Sequence, residues 1–255
     1  MIRRKSTREI ELMRRAGRIA AQARRLAGEM VTVGASTQSI DKAVHDYIVA
    51  QGAAPVFLNY RGYPASVCIS INEQVIHGIP SQRTLNNGDV VSIDVGVEKD
   101  GYMGDCAATF IAGTGSAQAQ KLIEVTKQSF YEGMKFARSG HRISDMSAAI
   151  QKYAEQNGFS VVRDFVGHGI GAELHEAPEV PNFTTIPRKR PDTRLAPGMT
   201  LAVEPMVNAG GFEVKILSDG WTVVTKDGKL SAHYENTILI TDGEPEILTV
   251  CGGLD

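Results

Sequence analysis

Cysteine is scarce in this chain, long apolar runs are missing, and neither sign of charge dominates. The three cysteines, Cys68, Cys106 and Cys251, are far apart and odd in number, which excludes a disulfide framework and the paired spacing of a zinc ribbon. A reduced, cytoplasmic protein is expected. No apolar stretch approaches the ~20 residues of a bilayer-crossing helix, and there is no signal-peptide core, so no membrane association is expected. The 27 basic and 29 acidic side chains leave a formal charge of -2, which gives no electrostatic footprint for nucleic acid. The basic start (Arg3, Arg4, Lys5, Arg8) contains Glu9 and Glu11. It reads as a solvated helix start rather than a targeting arm, because transit peptides are poor in acid. Several catalytic signatures are absent too. His175-Glu176 is followed by Ala177-Pro178-Glu179, so there is no HExxH, and neither a GxSxG elbow nor a Walker A loop occurs.

What is present is ordered and repetitive. Hydrophobic residues make up 42% of 255 positions, enough for a sizeable core. Ser6 and Glu9 form a capping box, and Ile10, Met13, Ala16, Ala20, Ala23, Ala27 and Met30 follow at helical spacing. A second helix is expected over 37–51, stopped by Gly52. Strands are expected at 66–71, 89–97 and 102–111, with a hairpin tip at Lys99-Asp100-Gly101, and further helices over 117–138 and 143–157. Gly34 to Gly52 spans 18 residues, as does Gly140 to Gly158. LNNGDVVSID (85–94) and LAPGMTLAVE (195–204) also match, each placing a glycine six residues before an acid. This common order points to a single α+β domain of two related halves, approximately 1–115 and 116–255. Pro181 to Pro197, with four prolines and many charges, reads as a surface loop.

The acids that end or interrupt apolar runs carry the chemistry. Asp94 lies in VVSIDVGV and Asp105 in YMGDCAATF. A four-residue loop at 98–101 sets them directly opposite, whereas a two-residue Asp100-Gly101 loop makes them diagonal neighbours on one face. Two carboxylates so close repel unless something positive lies between them. Glu204 ends MTLAVE, Glu235 precedes NTILI, and His168 stands between glycines in VGHGIG. Four carboxylates and one imidazole suit a hard or borderline divalent ion. Two ions ~3.5–4 Å apart would use all five groups. His45, His141 and His233 read as surface or ordinary structural histidines.

These residues lie in longer stretches: NYRGYPASVCISINEQVIHGIP, GDVVSIDVGVEKDGYMGDCAATF, VGHGIGAELHEAP, PGMTLAVEPMVN and DGWTVVTKDGKLSAHYENTILIT. Together they resemble the type I methionine aminopeptidases, in the short bacterial-type form, over essentially the whole chain. The resemblance implies the pita-bread fold: two pseudo-symmetric halves, with a curved, mainly antiparallel sheet flanked by helices. It implies two divalent ions (Co, Mn, Fe or Zn) held by Asp94, Asp105, His168, Glu204 and Glu235. Asp105 and Glu235 would bridge, Asp94 would complete one site, and His168 with Glu204 the other. His77, His175 and Glu204 fall on catalytic positions, the histidines contacting the peptide around the scissile bond and Glu204 shuttling a proton. Phe57, Tyr60, Tyr63, Cys68, Leu174 and Trp221, with His77 and His175, fall on substrate-binding positions. Phe57 stands where a smaller cysteine is common in the family, and Leu174 where phenylalanine is common.

The activity so implied is hydrolysis of the initiator methionine from nascent proteins with a small second residue, by a metal-activated hydroxide. The implied partners are the N-termini of nascent polypeptides, with a transient ribosome contact, and a monomer is expected. Neither a zinc-finger extension nor the long insertion of the type II enzymes is expected. The related Xaa-Pro peptidases carry an additional N-terminal domain.

Overall fold

A computed structural model describes residues 2–185 and 192–251. Helix α1 (Thr7–Glu29) opens on the expected capping box: the Ser6 hydroxyl accepts from Glu9 N, and the Glu9 carboxylate accepts from Ser6 N. Those bonds from Ser6 pull the Glu9 carboxyl down to about 2. Helix α2 covers Thr37–Ala50. Strands β1 (Ala54–Pro55), β2 (Cys68–Ile71), β3 (Gln74–Ile76), β4 (Val90–Lys99) and β5 (Tyr102–Ile111) follow. β4 is the spine of this half, pairing antiparallel with β5 on one edge and with β1 and β2 on the other. The small residues of α1 let its backbone lie close on the sheet. A Cβ at Gly104 would sit 2.6 Å from Gly17 N. Ala20, Ala23, Ile40, Ile48, Ile69, Ile93 and Val95 form the dry layer between the helices and the strands.

The second half repeats the order of helices before strands. Helices α3 (Ala117–Met134) and α4 (Ile143–Gln156) precede β6 (Ser160–Val161), β7 (Gly167–Gly169), β8 (Glu176–Val180), β9 (Thr200–Val203) and β10 (Met206–Asn208). Then come β11 (Val214–Ile216), β12 (Val223–Thr225), β13 (Ser231–His233), β14 (Asn236–Leu239) and β15 (Glu246–Ile247). The main sheet of this half runs β15-β14-β9-β7-β8, beside smaller sheets β13-β10-β6 and β11-β12-β3. α3 stops at Met134, four residues short of the expected end. There Phe136 N bonds to Gly133 O and Ala137 N to Met134 O, a tightened turn that buries Ala137 among Phe130, Met146 and Leu201.

The glycines matched along the sequence share a left-handed backbone: Gly34 and Gly140 at φ 88° and 91°, Gly52 and Gly158 at 62° and 87°, Gly88 and Gly198 at 90° and 86°. Isolated bridges join Ser36 to Thr84 and Arg142 to Arg194, each between a helix N-cap and a residue four positions before a turn glycine. The halves are stitched through β5. Ala107 and Glu235 exchange both backbone hydrogen bonds (3.2 and 2.9 Å), and the Thr237 hydroxyl bridges Asp105 N and O.

Two expectations need correction. The basic start is not uniformly solvated: Lys5 is buried, with Nζ 2.5 Å from Glu176 Oε2, and its N–H donates to Gly198 O. In the expected surface loop, residues 181–185 and 192–197 carry no helix or strand, yet Asn182 and Leu195 are buried. Residues 186–191 of that loop lie outside the described residues. Among the described residues, no helix is long and apolar enough to cross a membrane.

Candidate metal centre and substrate cavity

The β4–β5 register settles how the first two acids meet. Lys99 pairs with Tyr102, so the loop is the two-residue Asp100-Gly101. Asp94 therefore faces Ala107 and Asp105 faces Gly96, leaving the two carboxyls as diagonal neighbours on one face. They are close enough to share a hydrogen bond. The Ala107–Glu235 backbone exchange brings Glu235 alongside Asp105. Glu204 follows β9 directly, and His168 on β7 pairs with Ala202 of β9. A Cβ at Gly167 would lie 2.3 Å from Ala202 O, and one at Gly169 2.3 Å from Ala177 O. Only glycine lets β7 approach so closely on both sides of His168.

The result is a buried acidic cluster with an imidazole at its edge. His168 Nε2 lies 3.5 Å from Glu204 Oε1 and 3.9 Å from Asp105 Oδ2. Its Nδ1 is 2.9 Å from Gly169 O. Donation there places the proton on Nδ1 and leaves the Nε2 lone pair facing the acids. Burial lowers His168 to about 3, with the charge of His175 adding to the effect, so the ring is neutral near pH 7. Burial raises all four carboxyls. Asp105 is pushed further by Asp94 and Glu204, Glu204 by Asp94, and Glu235 by Asp105 and Glu204, while for Asp94 the hydrogen bond to Asp105 works against the rise.

The donor set fits divalent ions on its own evidence of strain. Asp94 Oδ1, Asp105 Oδ1 and Glu235 Oε1 are buried without a hydrogen-bond partner, a state that costs free energy unless a cation takes those lone pairs. Asp105, His168 and Glu235 bring ligand atoms within 4.8 Å of one another, and so do Asp94, His233 and Glu235. His233 was expected at the surface or in an ordinary structural role. It is not at the surface: it is 2% exposed, with Nε2 3.8 Å from Glu235 Oε2. Alternation along β13 carried the signal, since His233 stands two residues before Glu235. His45 and His141 lie away from the cluster, His45 against the Ser66 hydroxyl and His141 near Asp145.

The cluster forms the floor of a cavity of about 210 Å³. All the sequence-derived substrate positions reach it: Phe57, Tyr60, Tyr63, Cys68, His77, Leu174, His175 and Trp221. Cys68 pairs with Asp94 across β2–β4, which puts its thiol beside the acids, and burial raises that thiol well above its ordinary value. Tyr63 donates to Gly78 O (2.8 Å) and meets the Trp221 ring edge-on at 5.2 Å. Tyr60 Oη is 2.7 Å from His175 Nδ1, and the His175 ring lies 4.2 Å from that of His168. His77 adopts a left-handed φ of 59°, and burial, then His175, lowers it to about 4. Arg61, Ile76, Phe165 and Val166 also line the cavity. Sequence reasoning missed them, although Arg61 sits inside the NYRGYP stretch between two residues it identified.

Comparison with known proteins agrees with this geometry. The family model of metallopeptidase family M24 matches residues 11–242. A methionine aminopeptidase of Clostridium perfringens is 52% identical over 250 residues, covering 98% of this chain and 99% of the relative. Methionine aminopeptidase 1 of Bacillus subtilis is 49% identical, covering 96% of this chain and 98% of its own. The crystal structure of methionine aminopeptidase from Rickettsia prowazekii superposes with a TM-score of 0.94 at 39% identity, covering 98% of this chain and all of that one. A prolidase from Pyrococcus furiosus shares the fold at TM-score 0.77 and 21% identity, with 65% of its chain covered. The pita-bread architecture of mixed helices and antiparallel sheet is thus confirmed, and the chain belongs to metallopeptidase family M24, among its methionine aminopeptidases.

Proposed function

We propose that the chain removes the initiator methionine from proteins whose second residue is small (Gly, Ala, Ser, Thr, Pro, Val or Cys). The observation that carries this reading is one cavity with an acidic floor and an apolar, aromatic wall. The floor residues Asp94, Asp105, His168, Glu204 and Glu235 would hold two divalent ions, Co, Mn, Fe or Zn. When bound, such ions supply Lewis acidity, lowering the pKa of water toward neutrality and polarising a carbonyl.

The side chains do the rest. Asp105 and Glu235, brought alongside by the Ala107–Glu235 backbone exchange, would be the carboxylates shared by the two ions. Glu204 carries a proton toward the leaving nitrogen. With Tyr60 donating to Nδ1 across their 2.7 Å contact, His175 would keep its proton on Nε2 and donate it to the carbonyl oxygen as negative charge develops. His77 meets the peptide on the opposite side, its ring edge-on to Trp221 at 6.3 Å. The acidic floor attracts the free amino group at the Asp94 end, which restricts cleavage to the first residue. The wall of Phe57, Tyr60, Tyr63, Cys68, Leu174 and Trp221 suits an unbranched, polarisable thioether.

The same reading places the protein in the cytoplasm as a monomer, acting on nascent N-termini with a transient ribosome contact. It takes the catalytic unit as one domain of two related halves, 1–115 and 116–255. The shared left-handed glycines and the paired bridges support that division. The test is a peptide panel, Xaa-Ala-Ser and Met-Xaa-Ser, with metal-loaded enzyme and Ala-Pro-Ala as the Xaa-Pro control. Met-Ala-Ser should be cleaved well, norleucine tolerated, and Leu-Ala-Ser and Met-Lys-Ser cleaved poorly. Equal turnover of Leu-Ala-Ser and Met-Ala-Ser, or ready cleavage of Met-Lys-Ser, would leave only a general metalloaminopeptidase.

A further inference from the structure

His233 stands at the Asp94 end of the acidic centre with its chemistry unaccounted for. Its side chain is 2% exposed, and its Nε2 is buried without a hydrogen-bond partner. Buried imidazole nitrogens are ordinarily bonded, so an orphan one is a feature that asks for a ligand. The atoms facing it are acidic. Nε2 lies 3.8 Å from Glu235 Oε2, and ligand atoms of Asp94, His233 and Glu235 all fall within 4.8 Å of one another. Donor atoms ~2.1 Å from one ion stand ~3 Å apart when adjacent and ~4.2 Å apart when opposed. The trio is spaced for one ion after small side-chain adjustments. Two of its oxygens, Asp94 Oδ1 and Glu235 Oε1, are orphans as well.

The backbone keeps the ring in place. Thr109 on β5 accepts from His233 N (2.9 Å) and donates to His233 O (2.8 Å), while His233 pairs with Met206 across β13–β10. That clamp fixes the backbone the ring extends from, and at 2% exposure the imidazole is packed away from water. A purely structural histidine in this position would be expected to bond its Nε2, and this one leaves it 3.8 Å from Glu235 Oε2, in a trio with Asp94.

We propose that His233 Nε2 is a ligand of the ion held between Asp94 and Glu235. Each of the two ions then has one imidazole, His233 at the Asp94 end and His168 at the Glu204 end. The inference rests on the two-ion reading of the same centre. Its chemical consequence is selectivity: an imidazole in place of a further oxygen shifts that site toward borderline ions such as Co²⁺, Zn²⁺ or Fe²⁺, and away from Mg²⁺.

The experiment uses the full chain, stripped by chelation and reloaded with Co²⁺. X-ray absorption counts imidazoles per ion, and calorimetry with the cobalt d–d spectrum reads stoichiometry and the two affinities. Wild-type protein should show one imidazole per ion at two ions per chain. His233→Gln should halve that count and weaken one binding step by about 10–100-fold, leaving the other unchanged. Circular dichroism of the metal-free variant checks its fold, and the wild-type imidazole count stands without any variant. One imidazole per two ions in the wild type overturns the proposal. So does an unchanged count in His233→Gln, even with weakened affinity, because His233 would then only support other ligands. Uptake of a single ion by wild type overturns the two-ion reading instead. His233 is then judged by whether the count drops on substitution.

Discussion

Asp94 and Asp105 are diagonal neighbours across β4–β5, with Asp94 facing Ala107 and Asp105 facing Gly96, and each carboxyl bears on the protonation of the other. Asp105 is the deeper of the pair in consequence: it touches the His168 side of the centre at 3.9 Å as well as Asp94. Asp105→Asn removes a charge from both proposed ion sites at once. We expect kcat/KM to fall by about 10³ or more, a loss of ~4 kcal/mol in transition-state stabilisation. The strand pairing should survive, because the Thr237 hydroxyl holds the Asp105 backbone rather than its carboxyl. Assays of the metal-reloaded variant, with far-UV circular dichroism, check both halves of the prediction. Near-wild-type turnover would remove Asp105 from the centre.

The raised carboxyls make a pH prediction for metal-free protein. A carboxyl whose folded value exceeds its unfolded one binds more protons in the folded state, so its stabilising effect fades as pH rises. For Asp94 the window runs from its ordinary 3.8 to about 7, and Asp105, Glu204 and Glu235 shift the same way. The buried His77, His168 and His233, lowered to about 4, 3 and 3, and His175, lowered by burial, act in the opposite sense until their unfolded imidazoles have lost their protons, about one pH unit above 6.5. Between about pH 7.5 and 8 the carboxyls set the slope. Thermal melts of chelated protein should therefore fall across that interval, Asp94→Asn should flatten the fall, and Mn²⁺ or Co²⁺ should reverse it. A melting temperature that rises over that interval without metal would contradict the burial argument.

Tyr60 and His175 give a kinetic prediction. In the proposed mechanism Tyr60 donates across its 2.7 Å contact to Nδ1, so the proton His175 gives to substrate is the one on Nε2. Replacing His175 by Ala should lower kcat by about 10² or more, as loss of one oxyanion donor typically does. Tyr60→Phe should cost less, because the ring keeps its packing beside His168 and loses only the bond that orients it. Metal content should be unchanged in both. Loss of metal in His175→Ala would instead make His175 a ligand.

The extent to which this site could be read from sequence follows from where its signals lie. Asp94, Asp105, Glu204 and Glu235 were legible because each interrupts or borders an apolar run, where an unpaired acid is costly. Strand register was half legible. The sequence allowed two hairpin loops, and only the Lys99–Tyr102 pairing chose between opposite and diagonal carboxyls. His233 was legible only in part: its two-residue spacing from Glu235 puts both side chains on one side of an extended chain, but nothing local shows that Asp94 comes to the same point. Lys5 escaped for a similar reason, since its partner Glu176 is distant in sequence and a basic run at a helix start usually stays in water. The end of α3 was overrun because Phe136 and Ala137 are acceptable helix residues, and a tertiary demand to bury Ala137 turned the chain.

Gly96 and Phe57 supply the last prediction, which concerns the first-residue pocket. Gly96 faces Asp105 across the ladder, and its missing side chain is what gives Phe57 room. A Cβ built at Gly96 would stand 2.6 Å from Phe57 Cε1 and 2.5 Å from Val56 Cγ1, closer than carbon atoms pack. Its φ is not in the left-handed region, so alanine meets no backbone strain there and the effect is purely one of space. The Phe57 ring is 8% exposed and already lines the cavity. In Gly96→Ala the ring must move, and the direction open to it is the cavity. KM for Met-Ala-Ser should then rise about 10-fold, the effect of roughly one methylene of misfit in an apolar pocket. Phe57→Cys should do the reverse, enlarging the pocket and relaxing discrimination between methionine and leucine. The double variant Gly96→Ala/Phe57→Cys should recover much of the wild-type KM, because the added methyl would then meet a small thiol. Steady-state kinetics on Met-Ala-Ser and Leu-Ala-Ser for the three variants, with metal content measured alongside, separate this account from damage to the centre. If the double variant were as impaired as Gly96→Ala alone, the methyl would be acting through Val56, its nearer contact, rather than through Phe57.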